Sequence, residues 1–289
     1  MSARFAISVN DLTKTYGNLS AVNGISFHVN HGETFVILGP NGAGKSTTIE
    51  ILEGFRERSS GDVLVLDQDP AAADRKFRSR IGIVQQSAGD LGRLSARETI
   101  SHFASLYPNP RPVEQVIAAV GLEAKANEPV KKLSGGQQHR VDVALGLIGN
   151  PEVLFLDEPT TGFDPEVRRQ FWDVIRGLKS EGMTIVLTTH YLDEAEQLGD
   201  RGLVIVGGEV AAEGEISQLG GIGARIPEVS WVENGELQIA KSEHPAWFIG
   251  ELSQRLGAEP QGLQVRIPDL EQIYLEILEQ HRNGAVDAN

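Results

Sequence analysis

Apolar positions along the chain fall into short β-rich runs at residues 35–38, 63–66, 153–156 and 185–187, with longer stretches of helical spacing between them. Strand-like runs alternating with helical segments predict an α/β fold. Ser95 followed three residues later by Glu98 is a capping box, and Ile100, Phe103, Ala104 and Tyr107 then recur at helical spacing. This predicts a helix over residues 95–107 with one buried face. A second helix is predicted from Ser134, with Gln137 as box partner and Val141, Ala144, Leu145 and Ile148 as its apolar stripe. Gly149, Asn150 and Pro151 stop it.

Beyond Gly208 the texture changes. Residues 229–232 and 237–239 flank Asn234-Gly235, the strongest short-range hairpin signal. A helix is predicted over residues 245–256, then a strand in which Leu263, Val265 and Ile267 alternate with polar residues. Asp269 is placed to cap a last helix with Leu270, Ile273, Tyr274, Ile277 and Leu278 on one face. Trp231, Trp247, Phe248 and Tyr274 are expected in the core of this tail. It carries fourteen acidic and five basic residues, so it reads as a separate small acidic domain.

The whole chain has 289 residues, a net charge of −14 and no cysteine. That length suggests about two domains. The acidic balance disfavours a phosphate backbone as the main partner, since such binding runs on Lys and Arg. Without cysteine there are no disulfides, thiolate metal sites or cysteine nucleophiles. Residues 1–10 lack the pattern of a signal peptide, and no apolar run approaches the ~18 residues of a membrane helix. The expectation is a soluble, cytoplasmic chain with any membrane role exercised through a partner.

The candidate chemistry begins directly after the run at 35–38, where Gly39, Pro40, Asn41, Gly42, Ala43, Gly44, Lys45 and Ser46 match G-x-x-x-x-G-K-[ST]. Between a strand and a helix this pattern is a P-loop. Its glycines let backbone N–H groups turn inward around a polyphosphate, and the following helix adds its positive dipole end. Lys45 is placed to reach the β- and γ-phosphates and Ser46 to offer its hydroxyl to Mg²⁺, with Thr47 next to it in the nucleotide-binding segment. The apolar run 153–156 ends in Asp157-Glu158. Such a strand end by itself is more often a solvated edge than a site. Beside a P-loop, Asp157 is the natural Mg²⁺ partner and Glu158 a general base for an attacking water.

Between these stations lies Leu133-Ser134-Gly135-Gly136-Gln137. As local structure it is a capping box opening on two glycines, whose bare N–H groups suit an anion. In this position it resembles the signature motif of the ATP-binding cassette (ABC) transporter ATPases. The other stations of that family follow in order. Tyr16 is similar to the aromatic that stacks on adenine. Gln86 is similar to the glutamine that senses Mg²⁺ and the attacking water, with Gln85 as the alternative. Asp164, in Thr161-Gly162-Phe163-Asp164, resembles the aspartate of the loop that crosses to a partner subunit. His190 resembles the switch histidine at the γ-phosphate.

The resemblance covers residues 4 to about 215 closely. It implies a P-loop NTPase domain over 1–215, with a RecA-like core, an antiparallel β subdomain and a helical subdomain at about 87–150, followed by a small α+β domain over 216–289. It also implies ATP and Mg²⁺ as ligands and a head-to-tail dimer, expected to be a homodimer, in which Ser134, Gly135, Gly136, Gln137 and Asp164 act on nucleotide bound by the other copy. A separate transmembrane permease would be the membrane partner, contacted in the region 87–132. The chain would then sit peripherally on the cytoplasmic face of the cell membrane. The acidic tail with its final helix resembles that of drug and antibiotic exporters of the daunorubicin-resistance type. The competing class is a soluble ATP-driven clamp on ribosomes or DNA. Such proteins usually carry two cassettes or a coiled-coil insertion, and this chain has one cassette and no heptad run.

Overall fold

The computed structural model describes residues 5–84, 94–221 and 223–286. The chain divides into two compact units, Met1–Glu213 and Gly214–Asn289.

The first unit opens on two long antiparallel strands, β1 (Ile7–Tyr16) and β2 (Leu19–Val29), joined by a tight turn. The central strand β3 (Thr34–Leu38) and helix α1 (Lys45–Leu52) come next. Strand β4 (Ser60–Val65) then pairs with β1, making the order β2-β1-β4. A one-turn helix α2 (Arg75–Arg78), N-capped by Asp74, leads to β5 (Ile81–Val84). Helices α3 (Ala96–Ala104), α4 (Val113–Ala119) and α5 (Gly135–Leu147) follow. After them the chain alternates strictly between strand and helix: β6 (Val153–Asp157), α6 (Pro165–Ser180), β7 (Thr184–Thr188), α7 (Leu192–Leu198) and β8 (Arg201–Val206), with β9 (Glu209–Glu215) closing the run.

The second sheet has the order β5-β6-β7-β3-β8-β9, and its β5-β6-β7-β3-β8 pairings are parallel. Every residue of β3 and β7 is buried, as expected of parallel strands covered on both faces. Phe27 of β2 stacks on Phe35 of β3 with ring centroids 5.4 Å apart, which joins the antiparallel sheet to the central one. The C-terminal ends of β3, β6 and β7 lie side by side, the place where open α/β sheets bind ligands.

Both capping boxes form, at Ser95/Glu98 and Ser134/Gln137. Helix α3 ends at Ala104, earlier than its stripe suggests, so Tyr107 lies beyond it and is half-buried. In α5 the stripe is too narrow a description. Val143 and Leu147 are buried as well and Leu145 is half-buried, because β5 covers one side of the helix and its helical neighbours the others.

The second unit contains strands β10 (Glu228–Glu233), β11 (Glu236–Lys241) and β12 (Gln261–Arg266) in the order β11-β10-β12, with helices α8 (Pro245–Leu256) and α9 (Leu270–Val286). Asn234 and Gly235 both take positive φ, 54° and 83°, the two-residue loop that matches strand twist. Val229, Trp231 and Leu252 form its core, with Phe248 and Leu256 packed against it. Trp247 departs from expectation, being 66% exposed. The buried stripe of α8 runs through Phe248, Leu252 and Leu256 at four-residue steps, which turns Trp247 to the other side. Ile267 lies past the end of β12, and both it and Val265 are exposed, so only Leu263 of that alternating set packs on the core.

Candidate nucleotide site

The loop between β3 and α1 is shaped by two glycines with no room for a side chain. A Cβ on Gly39 would lie 2.3 Å from the Ile205 carbonyl, and one on Gly44, at φ 107°, 2.4 Å from the Ala21 carbonyl. The loop is thus pressed between β8 and β2, with Pro40, Asn41, Gly42 and Ser46 left exposed at its surface and Thr47 half-buried behind. Ala43 is buried, and its N–H donates to the Pro40 carbonyl at 3.1 Å.

Lys45 is 5% exposed, and its ammonium curls back to donate to the Gly39 carbonyl at 2.8 Å and the Pro40 carbonyl at 3.2 Å. It also lies 4.0 Å from a Glu158 oxygen. Burial lowers its pKa, and the carboxylates of Glu158 and Asp157 oppose that shift. Asp157 has the mirror problem. Burial raises its pKa, against a hydrogen bond from the Thr188 hydroxyl and the nearby Lys45 charge. Both groups therefore hold charge reluctantly in the free protein. A polyphosphate beside Lys45 and a cation beside Asp157 would relieve them.

Thr188 ends β7 and is not marked by its sequence context, yet it holds the Asp157 carboxylate and the Glu158 backbone. Its hydroxyl donates to Asp157, while its hydroxyl and carbonyl oxygens accept the Glu158 N–H at 3.0 and 3.1 Å. Glu158 adopts φ 47°. That left-handed turn at the strand end breaks the up-down alternation and lets two consecutive acids serve one site. The Glu158 carboxylate receives the Thr161 hydroxyl at 3.4 Å and lies 3.2 Å from Nδ1 of His190. His190 is partly exposed, and its ring packs on Tyr191 at 4.1 Å.

A third acid enters from the end of α1. Glu53 is 5% exposed, and its pKa is raised to about 8 by burial first and then by Asp157 and Glu50. A raised carboxyl stabilises the fold fully below its unfolded pKa, and that stabilisation is lost as pH climbs through the folded value. Across that window the cost grows by about 1.4 kcal/mol per pH unit. Between pH 6 and pH 8 the thermal midpoint of the nucleotide-free protein is therefore expected to fall by several degrees more than that of Glu53→Gln. Parallel curves in a melting series would contradict this.

Ser134, Gly135 and Gly136 line a different opening, a groove of about 590 Å³ shared with His139, Glu158, Thr161, Gly162, Phe163 and Asp164. The Ser134 hydroxyl accepts the Gln137 N–H at 3.3 Å, and the Gln137 side chain accepts the Ser134 N–H at 3.1 Å. Asp164 N-caps α6 through the N–H groups of Glu166 and Val167. Glu158 alone among these residues touches both Lys45 and the groove. Tyr16 ends β1 with 40% exposure, its ring faced by Lys14 at 5.1 Å and Arg56 at 5.5 Å. Gln85 and Gln86 lie outside the described residues. Among the described residues no cluster of three or more His, Cys, Asp or Glu could hold a metal by itself. The donor set fits Mg²⁺ nonetheless, because that ion keeps several waters and takes only one or two protein oxygens plus phosphates.

A glycine loop after β3 closing on a buried lysine, with two acids at the end of β6 one strand removed in the same sheet, defines a P-loop nucleoside-triphosphatase. The ABC transporter family pattern matches residues 22–161. Over 281 residues, 94% of this chain and 86% of the relative, the sequence is 36% identical to Nod factor export ATP-binding protein I of Rhizobium etli. It is 36% identical, over 94% of this chain and 88% of the relative, to the protein of that name from Rhizobium meliloti. Among solved structures, cbiO1 from Clostridium perfringens, part of the ABC transporter complex cbiONQ, is similar at 30% identity with a TM-score of 0.68, covering 74% of this chain and 90% of that one. A dimeric ATP-binding cassette in a post-hydrolysis state bound to ADP and Pi is similar at 28% identity with a TM-score of 0.64, covering 73% and 98%. The chain belongs to the ABC transporter family and is an ATP-binding-cassette ATPase. Among its described residues no helix is long and apolar enough to cross a membrane.

Proposed function

We propose that this chain is the ATPase subunit of an export system, working as a pair of copies that close on ATP and drive a separate membrane permease from the cytoplasmic face. The observation that carries the reading is the division of the site. Lys45, Asp157, Glu158 and His190 converge at the ends of β3, β6 and β7, whereas Ser134 and Gly136 lie on another groove beside Asp164. Each copy thus offers two incomplete halves. A ligand held by half of each copy binds the closed pair far better than either chain alone, as a ligand-driven switch requires.

In this reading Lys45 and the loop from Gly39 to Thr47 hold the phosphates, and Tyr16 faces the adenine. Ser46, Asp157 and Gln86 would hold Mg²⁺, which would supply charge neutralisation at the phosphates. Glu158 takes the proton of the attacking water, and His190, 3.2 Å from it, fixes that carboxylate and meets the γ-phosphoryl group. Ser134, Gly135, Gly136, Gln137 and Asp164 belong to the half contributed to the other copy. Export, in preference to uptake, is supported by end-to-end similarity to two proteins named for Nod factor export. An amphipathic cargo such as a drug or antibiotic fits the same class, and cargo would contact the permease. A net charge of −14 runs against a nucleic-acid partner.

Sedimentation tests the partner. The protein is expected to pellet with membranes only when a multi-span subunit is produced with it. Recovery in the soluble fraction throughout, with ATP-dependent binding to ribosomes instead, would contradict the reading.

A further inference from the structure

The groove that holds Ser134 and Asp164 has a histidine in its wall that the mechanism does not use. His139 is 7% exposed and sits one turn into α5. Its ring meets Phe163 edge-on at 5.2 Å and Phe171 of α6 at 5.6 Å, and those two phenyl rings meet each other at 6.1 Å. On its own helix, Nδ1 lies 3.4 Å from a carboxylate oxygen of Asp142. With Nδ1 turned to Asp142, Nε2 is buried without a hydrogen-bond partner among the described residues. A purely apolar side chain would fill the same box without that cost.

Three segments meet at this ring: the helix that begins with the signature motif, the loop that carries Asp164, and α6. A second tether lies one turn earlier, where a Cβ on Gly136 would fall 2.3 Å from Cγ1 of Val167. Gly136 therefore brings α5 close to α6, but a glycine has no side chain to set the rotation of one helix against the other. His139 does have one, and its ring is held against Phe163 and Phe171, with Asp142 beside Nδ1.

We propose that His139 is a positioning residue, whose ring, packed against Phe163 and Phe171, holds Ser134 and Gly136 in fixed register with the loop bearing Asp164. The two motifs then form one preorganised surface for nucleotide bound to a second copy. The proposal rests on the shared-site reading above for its role in turnover, though the positioning itself is a property of the isolated chain.

Hydrogen exchange on the nucleotide-free protein tests it. The N–H groups of Thr161 and Phe163 close the loop by donating to the Glu158 and Thr160 carbonyls at 3.2 and 3.0 Å. In His139→Ala these two amides are expected to exchange about ten times faster, with β6 and β7 unchanged. His139→Phe keeps an aromatic ring in the box and is expected to restore slow exchange. ATP turnover by His139→Ala should fall about ten-fold in kcat, while binding of a fluorescent ATP analogue to the isolated chain stays within about two-fold, since Lys45 is untouched. Unchanged exchange at Thr161 and Phe163, exchange as fast in the Phe variant as in the Ala variant, or loosening spread evenly over the sheet would each overturn the proposal. Failure of the shared site has a separate signature, the absence of ATP-dependent pairing in Glu158→Gln with His139 intact.

Discussion

Glu158→Gln is expected to bind Mg·ATP and to turn it over about 10²–10⁴-fold more slowly than the parent, the range that a positioned general base contributes. The geometry makes the substitution selective. The Glu158 backbone, held at φ 47° by its N–H bonds to Thr188, does not depend on the side chain's charge. The amide keeps an oxygen for the Thr161 hydroxyl and offers its NH₂ or oxygen to His190. What it cannot do is take a proton from water. The loss should therefore appear in kcat, with nucleotide affinity preserved. Normal turnover in this variant would remove Glu158 as the base and leave Asp157, already engaged with Thr188, as the acid to examine.

Lys45→Met is expected to abolish the nucleotide response by the opposite route, through binding. Lys45 spends its charge on two loop carbonyls in the free protein and can redirect it to phosphate oxygens. Losing two charge-assisted bonds to phosphate, at about 1.5–3 kcal/mol each, weakens ATP by on the order of 10² or more. The parent should melt several degrees higher in Mg·ATP, because a ligand at one hundred times its Kd adds about 2.7 kcal/mol. The variant should unfold cooperatively with no such rise. A rise equal to the parent's would mean that the loop's N–H groups alone carry the affinity.

Much of this was legible from residue order because the informative patterns are local. The P-loop, the two capping boxes and the Asn234-Gly235 turn are each specified within eight residues by glycine freedom or by a side chain reaching its own backbone. Residues that act through distant segments were not legible. Thr188 lies thirty-one positions from Asp157, and nothing beside it in sequence marks it as the bridge between two acids. Glu53 reads as an ordinary polar end to α1 until burial beside Asp157 is seen. The box around His139 is assembled from three segments. Trp247 departs from the expected burial because aromatic character predicts burial less well than helical phase does, and only packing of α8 on β10 fixes the phase. The P-loop, by contrast, carries its shape in its own glycines, although the carbonyls of Ala21 and Ile205 that make glycine obligatory come from β2 and β8.

In the proposed pair, one ATP is held between two copies, with Lys45 on one side and Ser134 on the other. Size-exclusion chromatography of Glu158→Gln with and without Mg·ATP tests it most directly, because slow hydrolysis leaves the closed state time to accumulate. A monomer is expected without nucleotide and a dimer with it, the dimer disappearing when Lys45→Met is added. A monomer under both conditions, at concentrations where ATP binding is demonstrated, would contradict it.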